Sequence, residues 1–445
     1  MILVKLEVIG MQRFSNIILR TLLIVAVGIS LILSWLIWTN NAKYQQGVQS
    51  GTIQTVNRRS VSTTKTMNEV FAPTKIINNT AKSQRLIYNY KYSSVREIFQ
   101  QLKQAHLSDF EQISLNDSNR YQRLLHQKHS LQLVYPTSVT VNTIARLTSQ
   151  RRLQQRKDHD INRIVLVLKG NQHLIYFLND YNFAIYQVQE RDLNYQQIQK
   201  LIKDNNFSVP VNTQVTAHDV QLMYLKPLKL KPVSYLITVQ NNNNYISNLL
   251  NSKQGADITS HKTEGQVVYR SGMYRLLNID NKTDMATFND YSKTSIPTNT
   301  PDLFEDTYRS LVKIGNPLNG MYLFNYDRKN HSFIFRNYVE GFPIFQQSKN
   351  GAVKINFSQE GQTILFSKKI LQVPVPAERN AVRLPATADI ISGLKDNGYN
   401  IHNIQKITIG YKWSDDSQNH DIVDLTPTYY IKINDQWKSY ADWIE

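Results

Sequence analysis

Residues 21–38 read TLLIVAVGISLILSWLIW, eighteen residues without a charge or a proline, and more than four hundred mostly polar residues follow them. An apolar run of about eighteen residues is long enough to cross a bilayer as a helix and long for a buried core helix. Ile17 to Leu19 extend it beyond Arg20, whose side chain can snorkel to the interface. Trp35 and Trp38 close the far end, where amphipathic rings favour the headgroup level. Lys5, Arg13 and Arg20 precede the run, and only Lys43 lies within the nineteen residues after it. That asymmetry keeps the N-terminus in the cytoplasm. The expected layout is a cytoplasmic tail over 1–16, a transmembrane anchor over 17–38, an extracellular linker over 39–72, and the remaining chain outside. A cleaved signal peptide is the rival reading. The exit SWLIWTNNAKYQQ, residues 34–46, has no small-x-small site, which argues for an uncleaved anchor.

Composition agrees with placement outside the cell. The chain has no cysteine, so disulfides, thiol catalysis and thiolate metal sites are excluded. Its net charge is +17, nearly all of it beyond the apolar run. A basic surface there faces anionic lipid and anionic wall polymer, and nucleic acid is not an expected partner. General solubility is the plainer explanation of the same charge.

Four hundred residues are too many for one core. The fold class expected is α+β, with a three-domain extracellular region over 73–230, 231–340 and 341–445. In the first domain Ser94 to Glu97 form a capping box ahead of Ile98, Phe99 and Leu102. Arg163–Leu168, His173–Leu178 and Phe183–Val188 read as strands. A helix over Leu193–Lys203 takes Asp192 as its cap and Ile198, Leu201 and Ile202 as its apolar face. The proline-punctuated KPLKLKP, residues 226–232, marks the end of this domain.

Beyond it the element order βββαββ occurs twice, with a boundary near Gly341, and each copy is expected to be an antiparallel sheet carrying one helix. The first helix has Thr300 as cap, Pro301 at its first position, Phe304, Leu311 and Val312 facing the core, and Gly315 as its stop. The second carries Ile390, Ile391 and Leu394 and stops at Gly398. In the second copy Phe342–Phe345, Val353–Phe357 and Thr363–Leu371 are the strands before the helix. Glu340-Gly341 reads as a tight hairpin turn.

Catalytic motifs are missing from the sequence: no H-E-x-x-H, G-x-S-x-G, P-loop or glycine-rich dinucleotide turn occurs. Neither an enzymatic activity nor a cofactor is expected. His126 with His129, and Asp158-His159-Asp160, are metal-ligand candidates whose plainer reading is a basic helix face and a solvated loop. Asp415, Asp416, His420 and Asp421 read as a polar hairpin loop. Arg146, Arg151, Arg152, Arg156 and Lys157 form the densest basic cluster, read as an anionic-surface contact or as a solvated helix face. Ala26, Ser30 and Ser34 recur every four residues and put three small side chains on one face of the anchor. Such stripes let helices approach closely in lipid, although small residues also scatter through spanning helices by chance.

The anchor ending SLILSWLIWT (30–39), the segment VVYRSGMYRLLNID (267–280), the turn FRNYVEGFPIF (335–345), and the closing ITIGYKW (407–413) with LTPTYYIK (425–432) resemble the YycH family. These proteins are membrane-anchored accessory regulators of the YycG (WalK) sensor histidine kinase of Gram-positive bacteria. The resemblance implies a three-domain extracellular part, a YycI-like anchored partner of related fold, and control of cell-wall metabolism through the kinase. It implies no catalytic residue. A wall-polymer or anionic-surface binding module is the alternative function left open by the residues themselves.

Overall fold

Ile76 and Ile77 leave one strand in opposite directions, as successive strand residues must, and each enters a different core. That alternation organises the molecule. The computed structural model describes residues 23–31, 65–88, 94–168, 174–203, 207–216, 219–250, 258–345, 351–376, 379–416 and 419–445. It is strand-rich and mixed α/β, as the sequence implied.

Residues 23–31 form a helix whose side chains, Ala26 and Ser30 among them, are exposed. Ser34 and the rest of the expected anchor lie outside the described residues. Among the described residues no helix is long and apolar enough to cross a membrane.

From Lys65 onward there are two large sheets. The first runs, edge to edge, through His106–Ser114, Ile185–Arg191, Leu174–Leu178, Asp160–Val167, Ser130–Thr140, Lys75–Asn79, Gln84–Ile87, Ser208–Val215 and Val220–Tyr224, all antiparallel. Helices Ser94–Gln104 and Tyr195–Lys203 bury Ile98, Phe99, Leu102 and Ile198 in the core on one face. On the other face Ile77, Leu86, Val134, Val209 and Val211 meet Tyr411, Leu425 and Ile431 from the far end of the chain.

The second sheet begins as a meander, Ile258–Thr263, Gln266–Ser271, Arg275–Asp280 and Met285–Asp290. Met285–Asp290 then pairs with Gly361–Ser367, and that strand with Val353–Ser358, which lies beside Ser332–Val339. Helix Thr300–Ile314 packs Phe304 against Phe71, Tyr326 and Phe333. A further run joins Phe342–Phe345, Ile404–Asp415, Ile422–Ile433, Val233–Val239 and Lys369–Val375.

Three expectations need correction here. Hydrogen-bonded ladders cross residue 341 in both directions, because Val353–Ser367 completes the sheet of the preceding residues while Val233–Val239 joins Ile422–Ile433. The two copies therefore exchange strands instead of separating at Gly341. Pairing is also not wholly antiparallel: Ile344 and Phe345 run parallel to Tyr411 and Lys412. Finally, the single strand expected over Thr363–Leu371 is two, Gly361–Ser367 and Lys369–Val375, because the chain changes partners at Lys368.

Candidate functional site: a charged cleft between the sheets

The residues singled out in the sequence do not gather into one place. Arg146 Nη1 bonds Asp302 at 2.5 Å and Glu305 at 3.2 Å, tying the first sheet's helix Val141–Leu147 to helix Thr300–Ile314. Arg151 and Arg152 lie in the exposed turn Arg151–Leu153, and Arg156 and Lys157 are exposed on the loop after it. Asp158 accepts from the backbone N–H groups of Asn142 and His159, Asp160 pairs with Arg328 at 2.9 Å, and the His159 ring lies against Phe110 and Tyr186. His126 lies 3.0 Å from the carbonyl oxygen of Thr213. No group of three metal-ligating side chains occurs among the described residues. Asp415 is held by Lys369 at 2.8 Å and by the indole N–H of Trp413, as befits a hairpin end. Glu340 and Gly341 make the expected two-residue turn, both with positive φ (52° and 85°), between paired Val339 and Phe342.

A cleft of about 660 Å³ opens instead where the first sheet faces strands Met321–Asp327, Ser332–Val339 and Ile404–Asp415. Its cations differ sharply in how they are compensated. Arg163 is fully engaged: Nε reaches both oxygens of Asp180 at 2.8 and 3.1 Å, and Nη1 donates to Gln132. Tyr121 donates to the same Asp180 at 2.6 Å. Lys406 donates to the Pro136 carbonyl at 3.3 Å. Burial works to lower its pKa, but Tyr181, Asp219 and Asp180 outweigh burial and hold the ammonium above its ordinary value.

Among the described residues, Lys75 and Arg336 have no carboxylate partner. The Lys75 ammonium donates to the Thr408 hydroxyl at a long 3.5 Å. Desolvation, reinforced by Lys406 and Arg163, pulls its pKa down to about 8. Arg336 is only 2% exposed and lies against the rings of Phe345 and Phe324, 4.2 and 4.7 Å from their centroids. Such stacking favours a planar cation. Its Nη1 donates to the Ile344 carbonyl at 3.2 Å, while Nε has no hydrogen-bond partner among the described residues. Burial lowers its pKa to about 10, with Tyr338 and Tyr430 acting in the opposite direction. The buried Tyr135 hydroxyl, also on the cleft wall, likewise has no partner among the described residues, and burial raises its pKa. Sequence reasoning passed over Lys75 and Arg336. The available signal was a guanidinium interleaved with aromatics in Phe333-Ile334-Phe335-Arg336, on a strand otherwise reading as core.

Two family models match the chain: the YycH protein N-terminal domain over residues 17–207 and the YycH protein C-terminal domain over 219–443. The crystal structure of YycH from Bacillus subtilis superposes with a TM-score of 0.68 at 14% identity, covering 85% of this chain and 97% of that one. At that identity the likeness is one of fold, while the sequence models speak to family. No curated protein matches the sequence.

Proposed function

The chain belongs to the YycH family, and from that premise we propose that it is a non-enzymatic, single-pass regulator of a sensor histidine kinase of the YycG (WalK) type. The family match, which reaches from residue 17 to residue 443, carries this reading. The proposed arrangement puts the N-terminus in the cytoplasm, a membrane helix over 17–38, and the two-sheet region outside the cell. Support for it comes from the uncharged run at 21–38 and the positive charge ahead of it.

The kinase has signalling states of similar energy, and a helix that packs better against one of them shifts the balance by about 1–3 kcal/mol. The helix face bearing Ala26, Ser30 and Ser34 makes that contact, while the extracellular region sets its orientation through a YycI-like anchored partner. Ser30→Phe puts a bulky group at the centre of the crossing. It should leave insertion intact and weaken association by about 1–2 kcal/mol, roughly ten-fold. Ile29→Phe, turned about a quarter of a circle away, should do less.

A bacterial two-hybrid comparison reads the difference, and equal signals from both variants and the parent would remove this face as the contact. Co-purification of the full chain in mild detergent tests the function itself. Recovery of the kinase or an anchored relative supports regulation. Recovery with wall fragments alone would favour a surface-binding module.

A further inference from the structure

Seven lysines and arginines and four aspartates line the cleft between the sheets. The aspartates are all committed to particular cations. Asp180 holds Arg163, Asp435 holds Lys432 at 2.7 Å, Asp442 lies 3.5 Å from Lys412, and Asp219 acts on Lys406. Lys438 lies over the Trp443 ring, 4.6 Å from its centroid. Lys438 is exposed; among the described residues, the cations withdrawn from solvent without a carboxylate are Lys75 and Arg336, and both face one cavity. Withdrawing a charge from water without a counter-charge is costly, so a fold that keeps the half-buried Lys75 and the buried Arg336 beside an open cavity is complementary to something anionic. The unpaired Arg336 Nε and Tyr135 hydroxyl are hydrogen-bond donors of the kind that orient a ligand.

We propose that this cleft binds a ligand carrying two or more anionic groups, phosphate or carboxylate, with its charge against Lys75 and Arg336 and its body against the aromatic wall of Phe324, Phe345 and Trp437. The volume of about 660 Å³ lies in the range of about 300–1,000 Å³ typical of small-molecule sites. That is room for a small molecule or the end of a chain, well beyond a single ion. The cleft is walled by both sheets, so an occupant touches both at once. The inference goes beyond the kinase reading and does not depend on it, since binding can be measured on the isolated protein.

The test uses the full chain in mild detergent, with pyrophosphate and citrate as phosphate and carboxylate probes and chloride at matched ionic strength as the reference. Trp413 and Trp437 are on the cleft wall, so intrinsic fluorescence reports occupancy directly. A saturable change with either probe, together with a rise in melting temperature, is the expected result, and the probe that acts identifies the anionic group. Lys75→Met keeps length and removes charge. It should weaken binding by at least about ten-fold, the loss of one charge-assisted contact, while retaining a cooperative melt. Lys75→Arg should recover most of the binding. Arg151→Gln with Arg152→Gln, on the exposed surface, should change it by less than about two-fold, because exposed charges are screened. No saturable response to either probe would overturn the proposal. So would parent-like binding by Lys75→Met, or an equal loss in the Arg151 and Arg152 variant.

Discussion

A methyl group on Gly410 would meet the Pro343 carbonyl oxygen at 2.7 Å and the Phe345 ring at 2.8 Å. Phe345 cannot retreat cheaply, because its ring is stacked on Tyr430 with centroids 3.7 Å apart and its other contacts include Arg336. Ala at this position gains about 0.4–1 kcal/mol through the unfolded chain, but overpacking costs about 1–3 kcal/mol, so overpacking wins. Gly410→Ala should lower the denaturant midpoint without altering the slope; an unchanged midpoint would refute the close approach. Lys75 gives a second expectation, in pH. Burial sets its folded pKa near 8 against an ordinary 10.5, with Lys406 and Arg163 adding repulsion. Between those values the unfolded chain keeps a proton that the folded chain has lost, so this group's contribution to stability rises with pH across that window. Lys75→Met removes the penalty outright. Its advantage over the parent should be present at pH 7 and much reduced by pH 10.5, as read by denaturant unfolding at the two values. An equal advantage at both would mean that Lys75 is not held below its ordinary pKa. Neither residue stood out in the sequence, since Gly410 is legible only as part of a motif and the isolation of Lys75 depends on strands more than three hundred residues away.

Individual elements were largely readable, and their edges were decided by side chains one position away. The long helix was placed by Pro301 and Gly315, and Gly315 does adopt the left-handed conformation, φ 84°, that ends it. Its cap, however, is Asn299, whose side chain accepts from the Asp302 N–H at 2.9 Å. Asn194 likewise displaces Asp192 at helix Tyr195–Lys203, accepting from Gln197, while Asp192 turns to His106. The apolar face expected from sequence is one position off at Val312, which is 42% exposed, whereas Leu311 and Ile314 are buried. The 3.6-residue period leaves adjacent residues about 100° apart, so an apolar pair near the edge of the stripe is ambiguous until the neighbour is known. The consequence is measurable by chemical denaturation. Val312→Lys should shift stability by no more than about 0.5 kcal/mol, as for other exposed sites. Leu311→Ala should cost about 2–5 kcal/mol, because it empties a core position. Comparable losses from the two would contradict the burial pattern.

At the scale of the molecule, what sequence could not supply was partner choice. A strand's alternation tells which residues are buried but not against what, and here partners lie on both sides of the boundaries drawn at residues 230 and 341. One core joins Ile98, Leu133 and Phe177 of the first sheet to Phe304, Phe335 and Phe366 of the second, and another joins Val209 and Val211 to Tyr411 and Ile431. Regions that share cores cannot unfold one after the other without exposing apolar surface on the survivor. The region from Lys65 to Glu445 should therefore fold without the preceding residues and melt in one transition, with calorimetric and van't Hoff enthalpies in agreement. Its start matters. Lys65 donates to the Met321 carbonyl at 3.2 Å and lies over the Tyr322 ring, its own carbonyl accepts from Tyr308, and Glu69 pairs with Arg96 at 2.7 Å. Beginning at Val70 removes all of these and should lower the melting temperature. Splitting the region at Gly341 severs strands Val353–Ser358 and Gly361–Ser367 from the partners that precede it, and Ile422–Ile433 from Val233–Val239. Neither half should then show a cooperative melt alone, while the two mixed should recover part of the original transition. Two resolved endotherms in the intact region, or a cooperative melt in residues 341–445 by themselves, would show that the cores are separable after all.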